Sequence, residues 1–265
     1  MLSNRPDACM KKVIGPFVNQ AVAAPQKYFE LSYQGIIDVR TGKPRAFEAL
    51  PRLRASDDSV VGPDVFIPLL ETSGDIVPFG RWVLYEACKQ TSLWREAFEL
   101  QPWQFQIHVN VSPVEVASPD WQKSVLEILE RTYLPYEFLQ LEITETKYLR
   151  PRYHWKVWQL IKKGVTFAAD DIDAGFGLKN VTNGGEIFST WKVGVVDLEI
   201  EALQGFIVSA ANAHKRLIVE QASQDILDQI DCRYVQSYLF CQPLGLADAT
   251  ELLSHHFPVQ QVLRL

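Results

Sequence analysis

HWKVWQLIKKGVTFAADDIDAGFG, residues 154–177, is the stretch on which the fold turns. Its first part, His154–Lys163, has the apolar spacing of a helix, and Thr166–Asp170 reads as a strand. The apolar run Val165–Ala169 stops abruptly at two adjacent carboxylates, Asp170 and Asp171, and a third acid, Asp173, follows within Ile172–Gly177. Neighbouring carboxylates at a strand end repel each other unless a cation or a proton lies between them. Asp and Gly are also ordinary turn residues, so alone the stretch fits a solvated turn as well as a site. The rest of the chain decides.

Working outward, strands and helices alternate on both sides. Phe29–Val39 and Ala46–Arg54 read as strands joined by the turn Arg40-Thr41-Gly42-Lys43, so the chain opens on a hairpin. Helical spacing marks Asp64–Glu71 and Arg81–Trp94. Strand Phe105–Val111, helix Trp121–Arg131 and strand Phe138–Thr144 lead to the helix at His154. Downstream, a Gly- and Asn-containing segment, residues 175–185, precedes a strand at Thr190–Val195. Helix Leu203–His214, strand Arg216–Glu220, helix Gln224–Ile230 and strand Tyr234–Phe240 follow. Such alternation calls for a parallel sheet. Eight strands in about 240 residues suit an α/β fold closed as a TIM-type (β/α)8 barrel. The opening hairpin predicts an antiparallel first strand. One domain is expected over residues 28–256, with a loosely ordered leader over 1–27 and a tail over 257–265.

Composition narrows the class. The 265 residues are 47% hydrophobic and 22% charged, a globular balance with material for a sizeable core. No run approaches the roughly 20 apolar residues of a membrane span. Lys11-Lys12 before Val13–Ala24 imitate a signal peptide, but Pro16, Asn19 and Gln20 interrupt the apolar segment. Cys9, Cys88, Cys232 and Cys241 show no CxxC spacing, which fits reduced thiols and a cytoplasmic location. A formal charge of −6 argues against a DNA or RNA polymer as partner.

The polar residues near the strand ends fall one per strand: Glu48, Asn110, Glu142, Asp170 with Asp171, Lys192, Glu220 and Gln236. In a parallel barrel these ends meet at one face, where active sites lie. Alternation supports inward placement: in Phe138-Leu139-Gln140-Leu141-Glu142 the apolar residues face the helices, leaving Glu142 and Gln140 inside. The same parity puts Asn110 inward with His108 and Gln106, and Glu220 inward between Leu217 and Val219 on the outer face and the barrel axis. Converging carboxylates need a counter-charge. Oxygen donors without Cys or His specify a hard cation, Mg²⁺ or Mn²⁺.

Two such ions suit in-line cleavage of a phosphodiester. Arg52 is then placed to pair with a phosphate, Lys192 to orient the attacking water, and Glu220 to ligate metal or accept the proton. His108 reads as a hydrogen-bonded group of the barrel core, and Trp82, Trp155 and Trp158 as helix faces packed on the sheet. A Schiff-base lysine or an enolase-like metal site competes at Lys192, although so many acids would keep a lysine charged.

Several separated motifs, in order, resemble one known family, the EAL domain of cyclic di-GMP phosphodiesterases. They are YQGII near Tyr33, EALPRLR at Glu48, FIPLLETSGDIVPFGRWVLYEAC from Phe66, HVNVSP at His108, and LEITET at Leu141. DDIDAGFG at Asp170, WK at Trp191, IVEQ at Ile218 and YVQSYLFCQPL at Tyr234 complete the set. The resemblance implies a barrel with an antiparallel first strand and hydrolysis of cyclic di-GMP to linear pGpG with Mg²⁺ or Mn²⁺. It implies Glu48, Asn110, Glu142 and Asp170 as ligands of one metal and Asp171 and Glu220 as ligands of a second. By the same resemblance Lys192 helps place the water, and Glu145 anchors the loop after the paired aspartates. Gln34, Leu50 and Arg52 contact substrate, Gln236 supports the site, and a homodimer forms near that loop.

This chain departs from the family pattern at several points. The usual DDFGTG is Asp170-Asp171-Ile172-Asp173-Ala174-Gly175, so a glycine has become Asp173. The usual KID-type triplet is Lys192-Val193-Gly194, the usual EGVE is Glu220-Gln221-Ala222-Ser223, and the usual proline after the first-strand glutamine is Gly35. Lost supporting partners commonly cost 10–100-fold in metal affinity or activity. Two readings follow: an active phosphodiesterase, or a catalytically weak or inactive domain that acts as a cyclic di-GMP receptor or through a protein partner. With 265 residues the chain is either a stand-alone domain or a fragment of a larger protein.

Overall fold

The computed structural model describes residues 8–54, 59–143, 151–172, 186–195 and 198–257. Strand β1 (Phe29–Asp38) pairs antiparallel with β2 (Lys43–Arg54), and a two-residue strand β3 (Val60–Val61) extends the outer edge of β2. Then come β4 (Gln106–Val111), β5 (Leu139–Ile143), β6 (Thr166–Ile172), β7 (Thr190–Gly194), β8 (Arg216–Glu220) and β9 (Tyr234–Gln236). β3 pairs antiparallel with β2, neighbours among β2 and β4 through β9 pair in parallel, and β9 closes antiparallel onto β1 through Ile37 and Asp38. The result is an eight-strand closed barrel with its first strand reversed. Fold and strand direction are as the alternation and the opening hairpin predict.

Helices cover the outside: α1 (Ala8–Ala23), α2 (Pro25–Tyr28), α3 (Pro63–Ser73), α4 (Ile76–Ala97), α5 (Pro113–Ala117) and α6 (Trp121–Thr132). After them lie α7 (His154–Ile161), α8 (Ile200–Asn212), α9 (Gln224–Leu227) and α10 (Leu246–His256). No described helix is long and apolar enough to cross a membrane. The apolar core lies between this ring and the strands. Phe47, Ile107, Val109, Leu139, Leu141, Phe167, Trp191 and Val219 alternate along the sheet and are all buried. Edge-to-face rings tie the layers together: Phe47 meets Trp94 at 5.5 Å and Phe105 at 5.3 Å between centroids.

Three expectations change. Residues 8–27, expected as a loose leader, are mostly helix, with Val18 and Ala21 fully buried and α1 packed on α3. The last strand ends at Gln236, because the Ser237 carbonyl accepts from the Phe240 and Cys241 amides and turns the chain. Trp155 and Trp158 do not pack on the sheet; they are 57% and 37% exposed on the outer side of α7, while Val157 and Leu160 make the contact. Trp82 does pack inward, against Phe29 and Phe79.

Candidate active site

Strand period decides what points into the barrel. Glu48, Asn110, Glu142, Asp170, Lys192, Glu220 and Gln236 stand near the C-terminal ends of β2 and β4 through β9, one per strand. In register, Asn110 lies beside Glu142 and Glu220 beside Gln236. The structure therefore gathers at one mouth the residues that sequence parity assigns to it.

The centre of the gathering is an ammonium group. Lys192 Nζ is 2.7 Å from Glu142 Oε2, 3.0 Å from Glu220 Oε1, and 3.3 Å from both Glu48 Oε2 and Asp170 Oδ1. Glu48 also accepts short hydrogen bonds from the amides of Asn110 and Gln236, and Gln236 donates on to Gln34 at 3.3 Å. Below this layer, His108 Nδ1 meets Glu142 Oε1 at 2.6 Å. Burial and the nearby Lys192, Arg216 and Arg45 cations hold this imidazole well below its usual range. It is thus neutral, and its Nδ1 shares one hydrogen bond with the Glu142 carboxyl. His108 is a hydrogen-bonded core group, as its sequence position suggests.

Four carboxylates facing one ammonium leave a surplus of negative charge in a dry place. Burial pushes Glu220 up to about 8, with Asp170 and Glu48 adding to the rise and Lys192 opposing it. Burial likewise lifts Glu142 well above the carboxylate range despite Lys192. Glu48 ends below that range: burial pushes it up, but Lys192 and the amides of Gln236 and Asn110 more than offset this. Lys192 stays charged, since its four acids outweigh the cost of burying it. All-oxygen donors and a charge deficit that protons must fill match the needs of a hard divalent cation. Among the described residues, however, no three acids, histidines or cysteines are spaced around a common metal position. They are drawn onto Lys192 instead.

A cleft of about 1030 Å³ opens over the cluster, lined by Gln34, Leu50 and Arg52 as well as Glu48, Asp170, Lys192, Glu220 and Gln236. Further wall residues, among them Asp64, Gln221 and Tyr238, were not singled out from the sequence as site residues. A side pocket of about 470 Å³ shares Glu48, Asn110 and Asp170 and runs between α3 and α4. There the Ser112 hydroxyl donates to Glu71, and Glu115 caps the Ser112 amide at 3.0 Å, fixing the chain just past Asn110. The Ser-x-x-Glu spacing of 112–115 carried that signal in the sequence. Asp171 is in β6, but its side chain lies outside the described residues, as do Glu145 and Asp173.

A closed barrel with an acid cluster, a buried lysine and an open cleft at its C-terminal mouth has the layout of a barrel enzyme. The chain belongs to the EAL domain family, whose model matches residues 18–180. It is 29% identical over 257 residues to the cyclic di-GMP phosphodiesterase NbdA of Pseudomonas aeruginosa, covering 89% of this chain and 31% of that protein. Among solved structures, the PaMucR phosphodiesterase in complex with c-di-GMP matches with TM-score 0.78 and 23% identity, covering 89% of this chain and 99% of that one. The FimX EAL domain from Pseudomonas aeruginosa bound to c-di-GMP matches with TM-score 0.69 and 23% identity, covering 84% and 93%. The chain spans about a third of the length of the curated relatives it matches.

Proposed function

We propose that this chain is a metal-dependent phosphodiesterase that hydrolyses cyclic di-GMP to linear pGpG, lowering that second messenger in bacterial signalling. The observation that carries the reading is the convergence of Glu48, Glu142, Asp170 and Glu220 on Lys192 beneath an open cleft. Relatives named for cyclic di-GMP chemistry support the choice of substrate.

In this reading Glu48, Asn110, Glu142 and Asp170 hold one Mg²⁺ or Mn²⁺, and Asp171 and Glu220 hold a second. Bound metal supplies a Lewis acid for the phosphate and lowers the pKa of the attacking water. Arg52 pairs with the phosphodiester while Gln34 and Leu50 position the dinucleotide in the cleft. Lys192 orients the attacking water, and Glu220 takes its proton. Gln236 keeps Glu48 aligned through their short hydrogen bond. Glu145 anchors the loop beyond Asp171. We further propose a homodimer, a cytoplasmic location, and a barrel domain over residues 28–256 that α1 helps to cover.

One observation favours a second reading. Gln221 stands at φ 56°, in the left-handed region, at the place where the family pattern has glycine, and it lines the cleft. A strained wall beside Glu220 suits a domain that binds cyclic di-GMP without turning it over, or that acts through a protein partner. Chromatography of cyclic di-GMP incubated with the purified chain separates the two: metal-dependent pGpG supports the enzyme, and tight binding without product supports the receptor.

A further inference from the structure

At the opposite end of the barrel, two cations stand without an acid. Arg45 lies near the start of β2 and Arg216 begins β8. Arg216 Nη1 donates to Gln106 Oε1 at 2.9 Å, and Arg45 Nη2 reaches the same oxygen at 3.5 Å and the Pro102 carbonyl at 3.1 Å. The Tyr234 side chain lies against both, with the Arg216 guanidinium 5.4 Å from its ring centroid. Two acids of this face are engaged elsewhere, Asp38 with Arg233 at 2.8 Å and Asp231 with Arg40 at 3.3 Å. Among the described residues neither Arg45 nor Arg216 has an ion pair, and Arg45 Nη1 is buried with no hydrogen-bond partner.

Both side chains are largely buried but keep a solvent-exposed part. Burial, and then repulsion from Arg216, draw the Arg45 guanidinium down to about 10; burial also lowers Arg216, with Arg233 adding to the fall. Two guanidinium forks held side by side are costly unless an anion shares them. A carboxylate has two oxygens and fills one fork. A tetrahedral oxyanion presents oxygens to both forks and to the Tyr234 hydroxyl at once.

We propose that Arg45 and Arg216, with Tyr234, form an anion site at the N-terminal mouth of the barrel that takes a phosphate group, either free phosphate or the terminal group of a small phosphomonoester. It is independent of the cyclic di-GMP reading, being built on the other face.

The test is thermal unfolding of the full chain in chelator at constant ionic strength, titrated with inorganic phosphate in one arm and glycerol phosphate in the other. A saturable rise in Tm of about 3 °C or more is expected at high occupancy. It should persist in Arg52→Ala, which removes the guanidinium of the cleft, and disappear in Arg45→Met and in Arg216→Gln. Saturation at lower concentration with the ester assigns a phosphomonoester, and the reverse assigns free phosphate. If one variant fails to fold, ³¹P line broadening with the other gives the same answer. No shift with either anion, or an equal shift in the arginine variants, would overturn the site.

Discussion

Lys192 Nζ and Glu142 Oε2 lie 2.7 Å apart, both buried, and the same ammonium reaches three further acids, Glu48, Asp170 and Glu220, at the barrel mouth. Removing it leaves four buried carboxylates facing one another. Lys192→Met is expected to cost about 3–5 kcal/mol of stability in metal-free buffer, the usual penalty for stranding a buried charge. Turnover should fall at least about 100-fold. Urea unfolding with and without Mg²⁺ checks the first expectation; a variant as stable as wild type would mean that the cluster is not held by this ammonium.

The charge deficit predicts a response to hard cations. At about 100 times its dissociation constant, a ligand of the native state adds roughly 2.7 kcal/mol, which for a chain of this size raises Tm by about 5 °C or more. Mg²⁺ or Mn²⁺ should give such a shift in wild type and much less in Glu142→Ala. Calorimetric scans in chelator and in metal decide it, and equal shifts in both proteins would count against a site at Glu142.

Glu115 predicts a pH effect away from the acid cluster. Burial pushes its carboxyl up to about 8, with Glu71 adding to the rise while the Ser112 amide and Arg81 oppose it. The folded group keeps its proton when the unfolded one has released it. Its contribution to stability is therefore full below the ordinary carboxylate range and is lost as pH rises through about 8. Between pH 5 and 8 the Tm of wild type should fall more steeply than that of Glu115→Gln. Parallel curves would show that Glu115 does not titrate in this window.

Gln221 occupies the left-handed region with its amide bonded to the Gln236 carbonyl at 2.9 Å. An L-residue there costs about 1–2 kcal/mol that glycine avoids. Gln221→Gly should thus stabilise the chain by about 1 kcal/mol, after glycine's greater flexibility in the unfolded state is set against the gain. Denaturant midpoints measure it; a loss of stability would show that the Gln221 side chain makes up the strain in the cleft wall.

The barrel was legible because its strands carry a strict two-residue period. In β5, Leu139 and Leu141 face the helices while Gln140 and Glu142 turn inward, so the pattern revealed both the sheet and the acids. What it could not reveal was where apolar residues stop serving a strand. Tyr238, Leu239 and Phe240 continue the β-forming composition of β9, yet Ser237 turns the chain and leaves all three exposed. In the same way Asn19 and Gln20 made the N-terminus look loose, although α1 docks through Val18 and Ala21, flanked by Phe17 and Val22, and leaves Asn19 and Gln20 in water. The tryptophans of α7 fail for the opposite reason, since size suggests burial but the helix turns Val157 and Leu160 inward. The Lys192-centred arrangement was also beyond the sequence, which placed the lysine among the acids without showing that one ammonium would gather four of them.

The central claim is tested most directly by following cyclic di-GMP by chromatography during incubation with purified chain and Mg²⁺, then Mn²⁺, beside folded Glu48→Ala. Metal-dependent appearance of linear pGpG, abolished in Glu48→Ala and in chelator, is the predicted result. Intact cyclic di-GMP after prolonged incubation of folded wild-type protein with either metal would contradict it.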